Sequence, residues 1–271
     1  MTKRRFRRGA VLAAALVAVA AGPALAQDEK EEIAKYQKMI AEGSPAELWE
    51  LQGEDLWKKK QGPKNASLER CDLGMGPGKV KGAYAHLPRF FKDTGRVMDL
   101  ESRILYCMIT LQGRSEKDAT KRLFGNANQP SEMEYLVSYV VGQSRGHKMA
   151  AGMSHAKEKD AFEMGKAIFF YRAGPWDFSC ASCHGEEGKR IRMQDLPVLS
   201  EPPGAQKAYT TWPAYRVSNS QLKTMQWRIN DCYRQMRFPE PAFGSDATIA
   251  LTHYMAVLAK GAPYAGPGTK R

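Results

Sequence analysis

The sequence predicts a mainly α-helical protein built as two tandem copies of one small domain. Three observations carry that prediction. Paired motifs recur in order along the chain, capped segments show apolar residues at helical spacing, and glycine- and proline-rich stretches lie between them.

The first 26 residues read as an export signal, with basic Lys3, Arg4, Arg5, Arg7 and Arg8, an apolar stretch from Ala10 to Ala21 and the small-residue pattern Ala24-Leu25-Ala26. Cleavage after Ala26 and a periplasmic address are expected. The apolar run is short of the roughly 20 residues a membrane span needs, and no later run is long enough, so the mature chain is expected to cross no membrane. Removing the five basic residues of the signal lowers the formal charge from +12 to +7. The excess is dispersed, and Lys58-Lys59-Lys60, Arg234 and Arg237 come with no nucleic-acid motif. An acidic protein partner or a small anionic substrate suits this balance better than nucleic acid.

The repeat begins with Gly53, Leu56, Trp57, Lys60, Gly62 and Pro63, which recur at the same spacing as Gly165, Ile168, Phe169, Arg172, Gly174 and Pro175. Cys71 precedes Leu87-Pro88 by sixteen residues, as Cys180 precedes Leu196-Pro197. Arg103-Ile104-x-x-Cys107 pairs with Arg228-Ile229-x-x-Cys232, and Leu136-x-x-Tyr139 with Leu251-x-x-Tyr254. Two domains follow, 27–150 and 151–271, with a linker near 146–154. In each, helices are signalled by caps. Ser44-Pro45-Ala46-Glu47 opens a segment with apolar Leu48, Leu51 and Leu56, Ser131-x-x-Glu134 and Ser245-Asp246 open the closing helices, and Ser220 can cap a helix containing Leu222, Met225, Ile229 and Met236. The stretches 74–82 and 196–213 read as long loops wrapping an internal packing partner.

Cys180-Ala181-Ser182-Cys183-His184 identifies that partner, because C-x-x-C-H is the attachment signature of c-type haem. Two thiols at this spacing add to the two vinyl groups, and the adjacent histidine reaches the iron. His184 therefore fills one axial position. Met193, Met225, Met236 and Met255 compete with Cys232 for the other, methionine being the usual choice in an electron-transfer cytochrome. The repeat sets Gly74 and Met75 opposite Cys183 and His184, so the first half has lost its haem motif. The fold class is thus two tandem cytochrome c-like domains, the first without haem. If Cys232 is an axial ligand, Cys71 and Cys107 face each other across an empty site, and in an oxidising compartment they should form a disulfide closing a loop of about 36 residues. Arg228 lies one helical turn before Cys232, placed to favour a thiolate and to bind an oxyanion. Arg103 repeats the feature in the first half, which reads either as ancestry or as a packing requirement.

Export signal, duplicated domain, single C-x-x-C-H and Arg228-x-x-x-Cys232 together resemble the SoxA family, the catalytic subunits of the SoxAX cytochromes of bacterial thiosulfate oxidation. The resemblance covers nearly all of the mature chain and points to the one-haem form. It implies His184 and Cys232 as axial ligands of one covalently bound haem c, with Arg228 in the active site and Cys232 open to persulfide modification. It also implies an L-cysteine S-thiosulfotransferase. Thiosulfate is joined to a cysteine of the SoxYZ carrier protein, two electrons leave to cytochrome c, and a small SoxX haem subunit completes a heterodimer. A plain electron-transfer cytochrome with His/Met ligation is the rival, and a peroxidase is disfavoured by the decayed first motif. The sequence does not place Arg216, Lys223, Arg234 or Arg237.

Overall fold

The computed structural model describes residues 44–126, 129–191 and 194–270. The export signal, the beginning of the first half and Met193 lie outside the described residues. The elements run α1 (Ala46–Lys58), β1 (Arg89–Phe91), β2 (Arg96–Met98), α2 (Leu100–Thr110), α3 (Glu116–Ala119), α4 (Glu132–Gly142), α5 (Ala156–Phe170) and α6 (Cys180–His184). After these come β3 (Arg190–Ile191), β4 (Gln194–Asp195), α7 (Pro202–Tyr209), β5 (Ala214–Arg216), β6 (Gln221–Lys223), α8 (Met225–Gln235), α9 (Asp246–Leu258) and β7 (Gly268–Lys270). Two strand pairs are simple antiparallel ribbons, and β5 is flanked by antiparallel β6 and parallel β7. No described helix is long and apolar enough to cross a membrane.

The duplication is visible as one helix crossing made twice. In the first half α1 packs on α4, and in the second α5 packs on α9. Gly53 and Gly165, paired in the sequence, sit at the two crossings. A Cβ on Gly53 would run into the carbonyl of Tyr135, one on Gly165 into that of Ala250, and each would stand 2.8 Å from the Cβ of the paired tyrosine, Tyr139 or Tyr254. Only glycine lets the backbones approach this closely. One turn on, Trp57 lies 5.9 Å from Tyr139 and Phe169 lies 5.4 Å from Tyr254 between ring centroids. Gly62 and Gly174 then turn the chain at φ 70° and 74°.

Caps set the helix starts. Ser131 and Glu134 form the expected capping box of α4, and Ser245 accepts from Thr248 N–H at the start of α9. Pro45 stands before α1 with helical angles, φ −56° and ψ −14°, the geometry of a first-turn proline. Three expectations need correction. The buried stripe of α1 is Ala46, Trp49, Gly53 and Trp57, while Leu48 and Leu51 are exposed, because the glycine crossing and not the leucines sets the inner face. The helix carrying Cys232 is capped by Thr224, whose hydroxyl accepts from Trp227 N–H; Ser220 sits in the left-handed region and Leu222 in β6. The 196–213 stretch contains α7, started by Pro202 and Pro203.

Residues from Pro45 onward form one compact unit, and a single core runs through both halves, joining Trp57, Leu73, Ile104 and Leu136 to Phe169, Tyr209, Ile229 and Tyr254. The segment 146–154 is hydrogen-bonded into that body. Met149 N–H donates to Ala262, Ala150 N–H to Ala85, and Gly261 N–H returns to Met149.

Candidate active site

α6 is a five-residue helix that forms because Ser179 accepts from Ser182 N–H while Ser182 Oγ accepts from Ser179 N–H. It sets Cys180 and Cys183 one turn apart on the same side, with His184 next in line. His184 Nδ1 lies 2.8 Å from the carbonyl of Pro197. That oxygen can only accept, so Nδ1 carries the proton and Nε2 presents its lone pair, the arrangement of a metal-binding imidazole oriented by its second nitrogen. Leu199 N–H donates to the carbonyl of His184, and Ser200 Oγ donates to that of Gly185, so the following loop clasps α6. Burial pulls the His184 pKa down and favours the neutral ring, with Arg228 adding to the effect.

α8 supplies the other side. Burial raises the pKa of Cys232, which Arg228 and Arg216 counter and Asp231 and Cys183 reinforce. Burial pushes Cys180 up to about 12, and its neighbours Cys232 and Cys183 add to the shift. The three cysteines outside the disulfide therefore meet in one place, all half-buried. Arg228 is held by Asp231 at 2.7 Å, one turn along the same helix, with its guanidinium 5.9 Å from the Trp212 ring.

The sequence model described as SoxA/TsdA, cytochrome c domain, matches residues 52–149 and 164–264. The chain belongs to the SoxA/TsdA cytochrome c family. It is 51% identical to the L-cysteine S-thiosulfotransferase subunit SoxA of Hydrogenophilus thermoluteolus, over 96% of this chain and 97% of that protein. It is 37% identical to the subunit of the same name from Hydrogenobacter thermophilus, over 92% of each. The crystal structure of SoxXA from P. pantotrophus matches with a TM-score of 0.71 at 25% identity, covering 88% of this chain and 84% of that one.

Haem c is the cofactor of a cytochrome c domain, and the residues of α6 and α8 fit it. Two thiols project from one turn, an imidazole shows a free Nε2, and a further sulfur, Cys232, stands near them. Of the methionine rivals, Met225 and Met255 are buried within the shared core and Met236 is 6% exposed where α8 ends, while Met193 lies outside the described residues.

In this SoxA/TsdA chain the matching repeat positions of the first half carry different groups. Cys71 and Cys107 are joined in a disulfide with Cα atoms 5.7 Å apart. Gly74 turns the backbone at φ 97°, and Asp72 accepts from Gly74 and Gly76 N–H. Arg103, 3% exposed, donates to Asp72 O at 2.6 Å and to Asp93 at 3.0 Å, and its guanidinium lies 4.1 Å from the Phe91 ring. Arg103 is thus wholly engaged in packing. Its repeat partner Arg228 keeps a quarter of its side chain open to solvent.

Arg216 escaped the sequence reading. It sits on β5, sixteen residues before Cys232, and no spacing rule links a strand residue to a helix face packed against it. Its pKa is lowered by burial and by neighbouring Arg228, while Asp231 and Cys232 oppose the shift. Its Nε is buried with no hydrogen-bond partner among the described residues. The other unplaced basic residues are engaged with protein partners. Lys223 is buried against Glu134, Arg234 bridges Asp231 and Glu240, and Arg237 stacks 5.8 Å from the Trp176 ring.

Proposed function

We propose that the chain is the catalytic subunit of a periplasmic SoxAX-type cytochrome, an L-cysteine S-thiosulfotransferase acting on thiosulfate and a carrier-protein cysteine. Its close relatives carry that activity in their names, one of them at 51% identity along almost the whole chain. The observation that carries the reading is the meeting of Cys232 with Cys180, Cys183 and two guanidiniums, Arg228 and Arg216.

The reaction joins the outer sulfur of thiosulfate to the carrier thiol. The carrier S–H bond breaks, an S–S bond forms, one proton is released and two electrons leave. Cys180 and Cys183 would hold haem c, with His184 and Cys232 as the residues offered to its iron, and the group would supply the one-electron redox chemistry that passes those electrons to a cytochrome c acceptor. The chain's own residues do the rest. Arg228, oriented by Asp231, and Arg216, with its orphaned Nε–H, disfavour each other as neighbouring cations, and a bound dianion relieves that repulsion. Both guanidiniums also favour a thiolate at Cys232 over a thiol. The Pro197 carbonyl keeps the His184 ring in one tautomer and one orientation.

One haem per chain is part of the proposal. Cys71 is committed to a disulfide, Gly74 and Met75 replace the second thiol and the histidine, and Arg103 with Phe91 fills the space between. A SoxX-like haem subunit is the expected stable partner, in keeping with the SoxXA complex to which the fold is similar. A SoxYZ-like protein is the expected carrier.

The test is the low-temperature electron paramagnetic resonance spectrum of the ferric haem-loaded protein, before and after Cys232→Ala. A thiolate-type low-spin signal lost in the variant, together with loss of thiosulfate conjugation, is the expected result. An unchanged spectrum and unchanged conjugation would remove Cys232 from the site and return the chain to plain electron transfer.

A further inference from the structure

α2 and α8 are repeat counterparts, and their first turns meet. Asp99 caps α2 where Thr224 caps α8, and Glu101 occupies the place that Gln226 occupies in the second half. Across the contact, Gln226 N–H donates to Glu101 Oε1 at 3.2 Å and Gln226 Nε2 donates to Asp99 Oδ2 at 2.7 Å. Gln226 Oε1 in turn accepts from Gly244 N–H at 2.8 Å. Gln226 is 1% exposed, Asp99 and Glu101 2% each. The two halves are therefore joined end to end at the helices that carry Cys107 and Cys232, by a contact in which equivalent positions face each other.

We infer that Asp99 and Glu101 of the first half, gripping Gln226, are positioning residues that set the placement of α8 and hence of Arg228 and Cys232. The inference rests on the proposed site. A helix is stiff along its axis, and Cys232 lies six residues from Gln226, about 9 Å at 1.5 Å per residue. A shift of the first turn is carried directly to the sulfur and the guanidinium. This also gives the first half a role that does not depend on a haem of its own.

The carboxylates divide the work. Asp99 accepts from Ser102 N–H, Ser102 Oγ and Gln226 Nε2 at the N-terminus of α2, and these donors oppose the rise in its pKa that burial brings. Glu101 has fewer donors, and burial together with the charge of Asp99 pushes it up to about 8. The groups facing it are Asp99, the Thr224 hydroxyl, Gln226, and the buried phenols of Tyr84 and Tyr209, none of them cationic. As the pH rises through about 8, Glu101 ionises and places a negative charge beside Asp99 in a buried place.

The experiment uses the haem-loaded protein with its partner subunit and compares Glu101→Ala, Gln226→Leu and Glu101→Gln with wild type. Glu101→Ala and Gln226→Leu should split the thiolate-type ferric low-spin signal of this chain into two and lower kcat/KM for thiosulfate by about tenfold or more, the sensitivity expected of a site displaced by a fraction of an ångström. Glu101→Gln, whose amide oxygen accepts the same N–H without a proton, should restore the wild-type signal. It should also abolish the signal splitting that wild type develops as the pH rises through about 8. Gly53→Ala, which strains the crossing of α1 with α4, is the control for destabilisation alone and should leave the thiolate-type signal unsplit. A wild-type signal and kcat/KM within twofold in both disruptive variants would overturn the inference. Should those two fail to fold, identical pH profiles in wild type and Glu101→Gln would overturn it instead. If Cys232→Ala leaves the spectrum unchanged, the site reading and this inference both fall. If that variant changes the spectrum while the Glu101 and Gln226 variants match wild type, only the positioning role is lost.

Discussion

Arg216 and Arg228 illustrate how the site depends on residues that reach it from different elements. Arg228 shares a helix with Cys232 and is tied to Asp231, whereas Arg216 comes from β5 and has a buried N–H without an acceptor among the described residues. A charged hydrogen bond to an anion contributes about 1.5–3 kcal/mol. Arg216→Gln is therefore expected to lower kcat/KM for thiosulfate by about 10- to 100-fold. The ferric spectrum should stay as in wild type, since Arg216 is not attached to the cofactor. An unchanged kcat/KM would leave Arg216 as a packing residue. Steady-state kinetics on the two-subunit protein decides this. Residues whose role follows from local spacing were legible: Cys180, Cys183 and His184 as a motif, Arg228 from its one-turn distance to Cys232. Arg216 was not, because its approach depends on the pairing of β5 with β6 and on how that sheet packs against α8. Cys71 and Cys107 became legible only through the repeat.

Helices α1 and α5 show what periodicity reveals and what it hides. Apolar Leu48, Leu51 and Leu56 marked a capped helical segment, yet Leu48 and Leu51 are 69% and 61% exposed, and the inner face belongs to Trp49, Gly53 and Trp57. Apolar spacing identifies a helix; which face turns inward is decided by where the partner helix can come closest. The glycine of the repeated motif marked that place. In an open helix position Gly→Ala stabilises by about 1 kcal/mol. At Gly165 the new methyl would press on the Ala250 carbonyl and the Tyr254 Cβ, and overpacking of this kind costs about 1–3 kcal/mol. Gly165→Ala is expected to lower the denaturant midpoint, and Gly53→Ala to do the same against Tyr135 and Tyr139. A rise in midpoint in either variant would show the crossing to be looser than described. The start of α8 was placed too early for a related reason: Ser220 has cap chemistry, but Thr224 is the residue followed directly by the helix, and the intervening residues pair as β6.

At the scale of the molecule, duplication has produced one body rather than two beads, and the halves have come to do different work. The first half carries a disulfide where the second carries the haem motif. Removing it with Cys71→Ala and Cys107→Ala should cost about 2–4 kcal/mol in unfolding while leaving one haem per chain by pyridine haemochrome assay. Two haems in wild type would defeat the one-haem proposal. Polar ties buried between the halves add a dependence on pH. Glu101 is raised from 4.5 to about 8, first by burial and then by Asp99, and Asp99 is raised too, again by burial. An acid whose pKa is higher in the folded state binds a proton there that the unfolded chain has released, so unfolding free energy falls as pH rises between the two values. Below about 4.5 both states hold the proton and the effect vanishes; above about 8 both have lost it and the full penalty stands. Wild type should accordingly lose Tm between about pH 5 and 8 relative to Glu101→Gln, whose side chain keeps the acceptor for Gln226 N–H and cannot ionise. Parallel Tm curves for the two proteins over that range would mean that Glu101 is ionised in the fold, and that the contact between the two helix starts tolerates its charge.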